Sequence, residues 1–324
     1  MKENPLLSIT GLTVVYRSKK GELRAVEDVS FEIDRGEVVA LVGESGSGKS
    51  TIGLSIMGLL PPSAKLLGGS IRFEGKELAG KPRDMLRRLM GSKIAMVFQE
   101  PVSYLNPVLK IGDQVAESIL LHNDVTKDEA KSRALEILRR VRIPDPARVY
   151  NYYPHQLSGG MAQRVCIAIA ISNNPALLIA DEPTTSLDLT IQAQILHLLK
   201  NLCGELNMAM LLISHDLRVV SGMADRVITL YAGKIAEERN VADIFSQPMH
   251  PYTRLLMKSS GINNQTDEGY QTAGGFPDLH NPPMGCRFMS RCSHAFERCR
   301  LDPKEVRFGE NSRVYCWLYE ESVR

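Results

Sequence analysis

The architecture follows from one stretch, Gly43-Glu44-Ser45-Gly46-Ser47-Gly48-Lys49-Ser50-Thr51, which has the spacing G-x-x-x-x-G-K-S of a phosphate-binding loop. The apolar run 37–42 before it is typical of a strand, and residues 52–57 after it are typical of a helix. Glycines let consecutive backbone N–H groups point at an anion, and the start of a helix adds its positive dipole end. The sequence therefore predicts a site for phosphate groups between a strand and a helix.

Two side chains of the loop indicate what it holds. Lys49 is expected to reach the outer phosphates, and the Ser50 hydroxyl is expected to ligate Mg²⁺, a cation that prefers oxygen ligands. The predicted phosphate contacts are Gly43, Glu44, Ser45, Gly46, Ser47, Gly48, Lys49, Ser50 and Thr51.

Composition and charge limit the class of protein. The chain has 324 residues, of which 44% are apolar and 23% charged, as in ordinary globular proteins, and its net charge of +2 gives no reason to expect nucleic-acid binding. No apolar run approaches the roughly 18 residues that span a bilayer, and residues 1–5 lack the apolar core of a signal peptide. We therefore expect a cytoplasmic chain that reaches a membrane only through partners.

An antiparallel β region is predicted before the loop, with strands at 8–16 and 25–33. Tyr16 stands at the end of the first strand, where its ring could stack on a purine or simply pack in the sheet. After the loop, Pro61 and Pro62 are expected to close the helix, and residues 68–75 are expected to form a hairpin strand.

Polar side chains follow three predicted buried strands, and ligands of open α/β sheets bind at the carboxyl ends of strands. They are Gln99 after 94–98, Asp181 and Glu182 after 176–180, and His215 after 208–213. Gln99 is expected to meet the metal or the attacking water, and Asp181 to hold Mg²⁺. Glu182 is expected to orient or deprotonate the water, and His215 to contact the outer phosphate.

Two helix starts are marked between these strands. Thr126 and Glu129 form a capping box, and a flexible loop is expected between Gln99 and that helix because prolines interrupt the chain. The turn Ser158-Gly159-Gly160 opens a second predicted helix at 161–172. Its N–H groups could bind a phosphate of a nucleotide that lies between this chain and another copy of it. Alternatively, the turn could be a plain helix N-cap.

Taken in order, these motifs resemble those of the nucleotide-binding subunits of ABC transporters over about residues 6–250. The matching positions are the Walker A loop 43–51, the glutamine loop at Gln99, the signature 157–161, the Walker B end at Asp181, the catalytic Glu182, the Asp188 loop, the switch His215 and the adenine-stacking Tyr16. Residues 98–101, 105–107 and 250–253, together with the cysteines from 286 onward, resemble the peptide and nickel importer branch.

The resemblance implies an α/β fold, an ABC-type P-loop ATPase with a mixed RecA-like sheet core, an antiparallel β subdomain and a helical signature subdomain at about 100–175. It further implies a nucleotide-binding domain at 6–250 and a small cysteine-containing C-terminal extension at 251–324.

It also implies a mechanism. Two ATPase subunits, identical or homologous, would close head to tail on ATP, with the phosphate loop of one facing Ser158, Gly159, Gly160 and Asp188 of the signature side of the other. Glu182, His215 and Gln99 would be catalytic, and Ser50, Gln99 and Asp181 would hold Mg²⁺.

The implied partners are a second ATPase subunit, two transmembrane permease subunits and an extracytoplasmic substrate-binding protein, with the chain peripheral at the cytoplasmic face of the inner membrane. Di- or oligopeptides are the expected cargo, and nickel or another small solute is the alternative. A soluble ABC ATPase outside transport is disfavoured, because the chain has one Walker A loop and one signature.

The six cysteines are unevenly distributed, with Cys286, Cys292, Cys299 and Cys316 close to the C-terminus. Their spacing contains no C-x₂-C pair. Four thiolates suit an iron–sulfur cluster or zinc, while reduced structural thiols or disulfides remain open. The resemblance to the peptide-importer branch implies a possible [4Fe–4S] site, since similar tails resemble such a site in some members of that branch. Neighbouring arginines are expected to lower the thiol pKa values, and Cys166 and Cys203 are interpreted as small buried hydrophobes on helices.

Overall fold

A computed structural model describes residues 4–185, 187–262, 275–309 and 311–323. The chain divides into two compact units. The first unit contains Met1–Ile33, Val38–Ala79 and Leu212–Arg324, and the second contains Asp34–Glu37 and Gly80–Leu211.

The strands in chain order are β1 (Leu7–Ser18), β2 (Gly21–Ile33), β3 (Val38–Val42), β4 (Ala64–Phe73), β5 (Lys76–Glu77), β6 (Ile94–Val97), β7 (Leu177–Asp181), β8 (Ala209–Ser214), β9 (Arg226–Tyr231), β10 (Lys234–Asn240), β11 (Val306–Gly309) and β12 (Ser312–Val314). The helices are α1 (Lys49–Met57), α2 (Arg83–Leu89), α3 (Pro101–Tyr104), α4 (Ile111–His122), α5 (Lys127–Arg140), α6 (Pro146–Val149), α7 (Gly159–Ile171), α8 (Leu189–Leu206), α9 (Leu217–Ser221), α10 (Val241–Ser246) and α11 (Pro251–Ser259).

The first unit contains the predicted antiparallel β region, as a sheet with strand order β2-β1-β4-β5. The strands β11-β12-β10-β9-β3 are also neighbours in that order, and β3 and β9 run parallel. Every residue of β3 and β9 is buried, as expected for parallel strands covered on both faces. The phosphate loop therefore begins at the carboxyl end of a buried parallel strand.

Helix α1 follows the loop directly, but it ends earlier than the prolines suggest. Its C-terminal cap is Gly58, which has a φ of +65° and accepts the left-handed conformation without a Cβ clash. The prediction that Pro61 and Pro62 close this helix is therefore wrong. The hairpin strand predicted at 68–75 is also shifted, since β4 ends at Phe73 and Glu74 and Gly75 turn the chain with positive φ.

The second unit pairs β6 with β7 in parallel and packs α4, α5 and α7 against one another. The capping box at the start of α5 is confirmed, because the Thr126 hydroxyl accepts from the backbone N–H of Glu129 and the Glu129 carboxylate accepts from that of Thr126. The loop expected after Gln99 contains the short helix α3, which starts with Pro101. Proline suits this position because the N–H that it lacks would have no partner within the helix.

The C-terminal region contributes to the sheet of the first unit. Strand β12 pairs antiparallel with β10, aligning Val314 with Glu237, and β11 pairs with β12. Short 3₁₀ turns lie at Met289–Arg291, Glu297–Arg300 and Trp317–Val323. Within the described ranges, no helix is long and apolar enough to cross a membrane.

Candidate active site

The phosphate loop encloses the Lys49 side chain, which is only 5% exposed. Its Nζ donates to the carbonyl oxygens of Gly43, at 2.8 Å, and Glu44, at 3.0 Å. These bonds hold the ammonium group against the backbone of the loop, and the contact of Lys49 with the outer phosphates stays a prediction.

Two glycines of the loop are required by close approach of other backbone. A Cβ on Gly43 would lie 2.2 Å from the Leu230 carbonyl oxygen, and a Cβ on Gly48 would lie 2.4 Å from that of Ala25. The Ser47 hydroxyl is buried and has no hydrogen-bond partner among the described residues. An unsatisfied hydroxyl in a loop of closely packed glycines fits an anionic ligand such as a nucleotide phosphate.

Glu44 is held from two further directions. Its backbone N–H donates to the Tyr252 hydroxyl at 2.8 Å, and its two carboxylate oxygens accept from Nη1 and Nη2 of Arg291, each at 2.8 Å. The sequence did not predict either contact, because the partners lie 208 and 247 positions away along the chain.

Tyr16 lies beside the loop, since its hydroxyl is 3.2 Å from the hydroxyl of Thr51 on α1. The ring is half-buried at the end of β1. Its proximity to the loop agrees with the adenine-stacking interpretation, which stays a prediction.

In the second unit, the predicted catalytic carboxylate is linked to the glutamine loop. Gln99 Nε2 donates to Glu182 Oε2 at 3.1 Å, and the Thr185 hydroxyl donates to the same oxygen at 3.0 Å. Glu182 has a φ of +45°, a conformation that is uncommon for residues with a side chain and that concentrates at functional sites. Asp181, the last residue of β7, is 7% exposed.

The signature turn and the Asp188 loop meet in the second unit. The Ser158 hydroxyl accepts from the Met161 N–H at the start of α7, which confirms the N-cap interpretation. Asp188 caps α8 by accepting from the Ile191 N–H at 3.0 Å. A Cβ on Gly160 would lie 2.7 Å from Cγ2 of Ile191, so the two helix starts pack closely. The role of Ser158, Gly159, Gly160 and Asp188 toward a second copy stays a prediction.

The remaining predicted residues are divided between the two units. His215 is exposed, directly after β8, in the first unit, which also contains Ser50. Gln99 and Asp181 belong to the second unit, so the Mg²⁺ ligand set Ser50, Gln99 and Asp181 stays a prediction.

All four C-terminal cysteines are free thiols with raised pKa values or deep burial. Burial raises the pKa of Cys286 to about 11 and that of Cys316 to about 12, and it raises that of Cys292 as well. Cys299 is 8% exposed. The expectation that the arginines lower these pKa values is wrong for these three thiols, because partial burial removes water from around them and opposes ionisation.

The arginines are engaged elsewhere. Arg287 pairs with Glu27, Arg291 with Glu44, Arg298 with Glu320 and Arg300 with Glu297. Among the residues that the structure describes, no group of three or more cysteine, histidine or carboxylate side chains is arranged to hold a metal ion. Cys203 on α8 is buried, as predicted. Cys166 on α7 is only partly buried and its thiol donates to the Pro101 carbonyl oxygen at 3.4 Å, although burial raises its pKa to about 12.

Two family models match the chain: "ABC transporter" over residues 26–185 and "Oligopeptide/dipeptide transporter, C-terminal region" over residues 236–299. The oligopeptide transport ATP-binding protein AppD of Bacillus subtilis (strain 168) is 47% identical over 319 residues, covering 98% of this chain and 97% of that protein. The chain belongs to the ABC transporter family. The dipeptide transport ATP-binding protein DppD of the same organism is 45% identical, over 98% of this ABC transporter chain and 95% of its own length.

Solved ABC transporter cassettes share the fold. A dimeric post-hydrolysis state of the cassette MJ0796 bound to ADP and Pi has a TM-score of 0.66 and 31% identity, covering 72% of this chain and 98% of that one. The cassette cbiO1 from Clostridium perfringens, part of the ABC transporter complex cbiONQ, has a TM-score of 0.65 and 26% identity, covering 81% of this chain and 96% of that one. The predicted ABC-type α/β fold is therefore confirmed.

Proposed function

We propose that this ABC transporter chain binds and hydrolyses ATP to energise the uptake of di- or oligopeptides. The observation that carries the peptide assignment is the match of residues 236–299 to the C-terminal region of oligopeptide and dipeptide transporters. Two Bacillus relatives are similar to this chain along almost their whole length, and their names, which specify oligopeptide and dipeptide transport, support peptides as the cargo.

The proposed site uses the loop 43–51 for the phosphates of ATP and Tyr16 for its adenine. Glu182 accepts a proton from the attacking water, or orients it, since a carboxylate fixed by two donors is held ready for that role. Gln99 keeps Glu182 in place and His215 contacts the outer phosphate. When bound, Mg²⁺ would neutralise phosphate charge, with Ser50, Gln99 and Asp181 as its proposed ligand set.

The proposed assembly contains two ATPase subunits at the cytoplasmic face of the inner membrane, two transmembrane permeases and an extracytoplasmic binding protein. Each ATP lies between the phosphate loop of one subunit and Ser158, Gly159, Gly160 and Asp188 of the other. ATP binds better to the closed pair of ATPase subunits than to the open pair. Its hydrolysis therefore shifts the population toward the open pair, and this motion changes the conformation of the permeases. A dimeric MJ0796 cassette with ADP and Pi supports this arrangement by analogy. We propose that this chain has two regions, a nucleotide-binding domain at 6–250 and a C-terminal extension at 251–324.

Uptake in cells tests the cargo. A strain lacking this chain is complemented with the wild-type gene or with Lys49→Ala, and the accumulation of labelled dipeptides, oligopeptides and nickel is measured. The proposal expects peptide uptake with the wild type and none with Lys49→Ala. Nickel uptake that depends on Lys49, without peptide uptake, would support the nickel alternative and contradict the peptide assignment.

We also propose that the four C-terminal cysteines bind a [4Fe–4S] cluster. Four thiols from one region supply the donor set, and the backbone N–H of Cys286 donates to the Cys299 carbonyl oxygen at 2.9 Å, so at least these two residues are neighbours. The described residues hold no group already arranged for a metal ion, so binding requires these side chains to move together.

Anaerobic purification tests the cluster proposal. Iron and sulfide contents near four per chain, with the visible absorbance of an iron–sulfur protein, are expected from the wild type. Cys299→Ser should lose both. A wild-type protein without iron or with zinc instead would contradict the proposal, whatever its ATPase activity.

A further inference from the structure

Arg291 connects the C-terminal region to the phosphate loop. Its guanidinium group forms a two-pronged ion pair with Glu44, with both N···O distances at 2.8 Å. Arg291 is 9% exposed and Glu44 31% exposed, so the pair is partly shielded from water. Paired forks of this kind are among the stronger and more directional contacts of arginine.

An aromatic cluster fixes the position of Arg291. The guanidinium lies 5.6 Å from the ring centroids of both Tyr231 and Phe288, and its Nη1 also donates to the Tyr231 hydroxyl at 3.2 Å. The Tyr252 ring lies 4.6 Å from that of Tyr231, and its hydroxyl accepts the Glu44 N–H. The arginine is therefore held by the same cluster that holds the backbone of the loop.

Glu44 is the link between this cluster and Lys49. Its N–H binds Tyr252, its carboxylate binds Arg291, and its carbonyl oxygen accepts from Lys49 Nζ. A carboxylate within a loop that receives phosphate groups would repel them if its charge were not compensated. Arg291 supplies that compensation and fixes the residue beside Gly43.

We propose that Arg291 is a positioning residue of the nucleotide site, which raises the affinity of the phosphate loop for ATP by neutralising and holding Glu44. The inference rests on the proposed role of residues 43–51 in nucleotide binding. It gives the C-terminal region a direct part in that binding, through the 3₁₀ turn Met289–Arg291 next to Cys292.

ATP affinity of the full chain tests the proposal, measured by equilibrium dialysis with ATP in the presence of a chelator so that no hydrolysis occurs. Arg291→Gln should weaken ATP binding by about tenfold, which corresponds to about 1.4 kcal/mol. Arg291→Lys should recover part of that loss, because it keeps the positive charge but not the two-pronged contact that holds Glu44. The matched control is Arg300→Gln, because Arg300 is also in the extension but pairs with Glu297 at the exposed surface, and it should bind as the wild type does.

Charge rescue separates positioning from folding. Arg291→Gln combined with Glu44→Gln should bind ATP more tightly than Arg291→Gln alone, because the uncompensated carboxylate is gone. Wild-type affinity in Arg291→Gln, or a double variant as weak as the single, would overturn the inference. Lys49→Ala reports on the site itself: if it keeps full ATP affinity, the proposed nucleotide site is wrong, independently of Arg291.

Discussion

Replacing Gly48 by alanine should disable the nucleotide site far more than replacing Gly46. The new Cβ would lie 2.4 Å from the Ala25 carbonyl oxygen and 3.2 Å from Cγ2 of Val26, and the backbone φ is +104°. Gly46 has a φ of +81° with no atom within 4 Å of the added Cβ, so its variant experiences the conformational strain without the clash. The pair therefore separates the two effects within one loop.

The sizes follow from these contacts. Left-handed backbone costs alanine about 1–2 kcal/mol, and only the part of this strain that the free loop relieves weakens binding, so Gly46→Ala should lose at most roughly tenfold in ATP affinity. Gly48→Ala must also move backbone away from the Ala25 oxygen, and overpacking of that kind costs about 1–3 kcal/mol more. A loop displaced by about 1 Å no longer aims its N–H groups at the phosphates, so the expected loss is on the order of 100-fold or greater.

Isothermal titration of the full chain with ATP measures both affinities, and thermal unfolding in the same buffer checks that each variant is folded. Equal affinities for the folded Gly48→Ala and Gly46→Ala variants would refute the close-approach argument. A Gly48→Ala protein that binds ATP as the wild type does would show that the loop can shift without cost.

Three further changes test separate parts of the structure. Thr126→Ala should lower the free energy of unfolding by about 1 kcal/mol in denaturant titrations, because it removes the capping box of α5. Burial, aided by Arg254, lowers the pKa of His250 to about 3. The contribution of His250 to the free energy of unfolding is therefore complete above its unfolded pKa of about 6.5, and it falls by up to about 1.4 kcal/mol per pH unit below that pH. His250→Asn should flatten this pH dependence in urea titrations. Thr185→Val should reduce the ATPase kcat by roughly 3- to 10-fold, because Glu182 loses a donor.

Matched controls accompany these three. Ser132→Ala, an exposed residue of the same helix as Thr126, should leave stability almost unchanged, and an equal loss from both variants would contradict the capping argument. His250→Asn keeps an acceptor for the Tyr252 N–H, so a pH dependence that persists in this variant would point to another group. An unaltered kcat with Thr185→Val would remove the positioning role of that hydroxyl.

The sequence predicted most of what lies close together along the chain. The phosphate loop, the capping box at Thr126 and the apolar strands leading to Asp181 all follow from local patterns of a few residues, and the structure has them in place. Helix ends were less predictable, because Gly58 and Pro61 are both stop signals and the structure uses the glycine.

Long-range contacts could not be predicted. Arg291 and Tyr252 sit far from Glu44 in sequence, and nothing in their neighbourhoods indicates that the fold brings them to the loop. The thiol pKa values were mispredicted for a similar reason. The arginines beside the cysteines in sequence pair with distant carboxylates, while burial, which depends on the whole fold, governs the thiols.

Hydrolysis by Glu182→Gln in the assembled transporter decides whether the carboxylate held by Gln99 and Thr185 performs the chemistry. The substitution keeps the shape of the side chain and removes its basicity. We predict that the variant binds ATP with wild-type affinity while its single-turnover rate of ATP hydrolysis falls by about 10²-fold or more. An unchanged rate would contradict the assignment of Glu182 and, with it, the proposed use of this site.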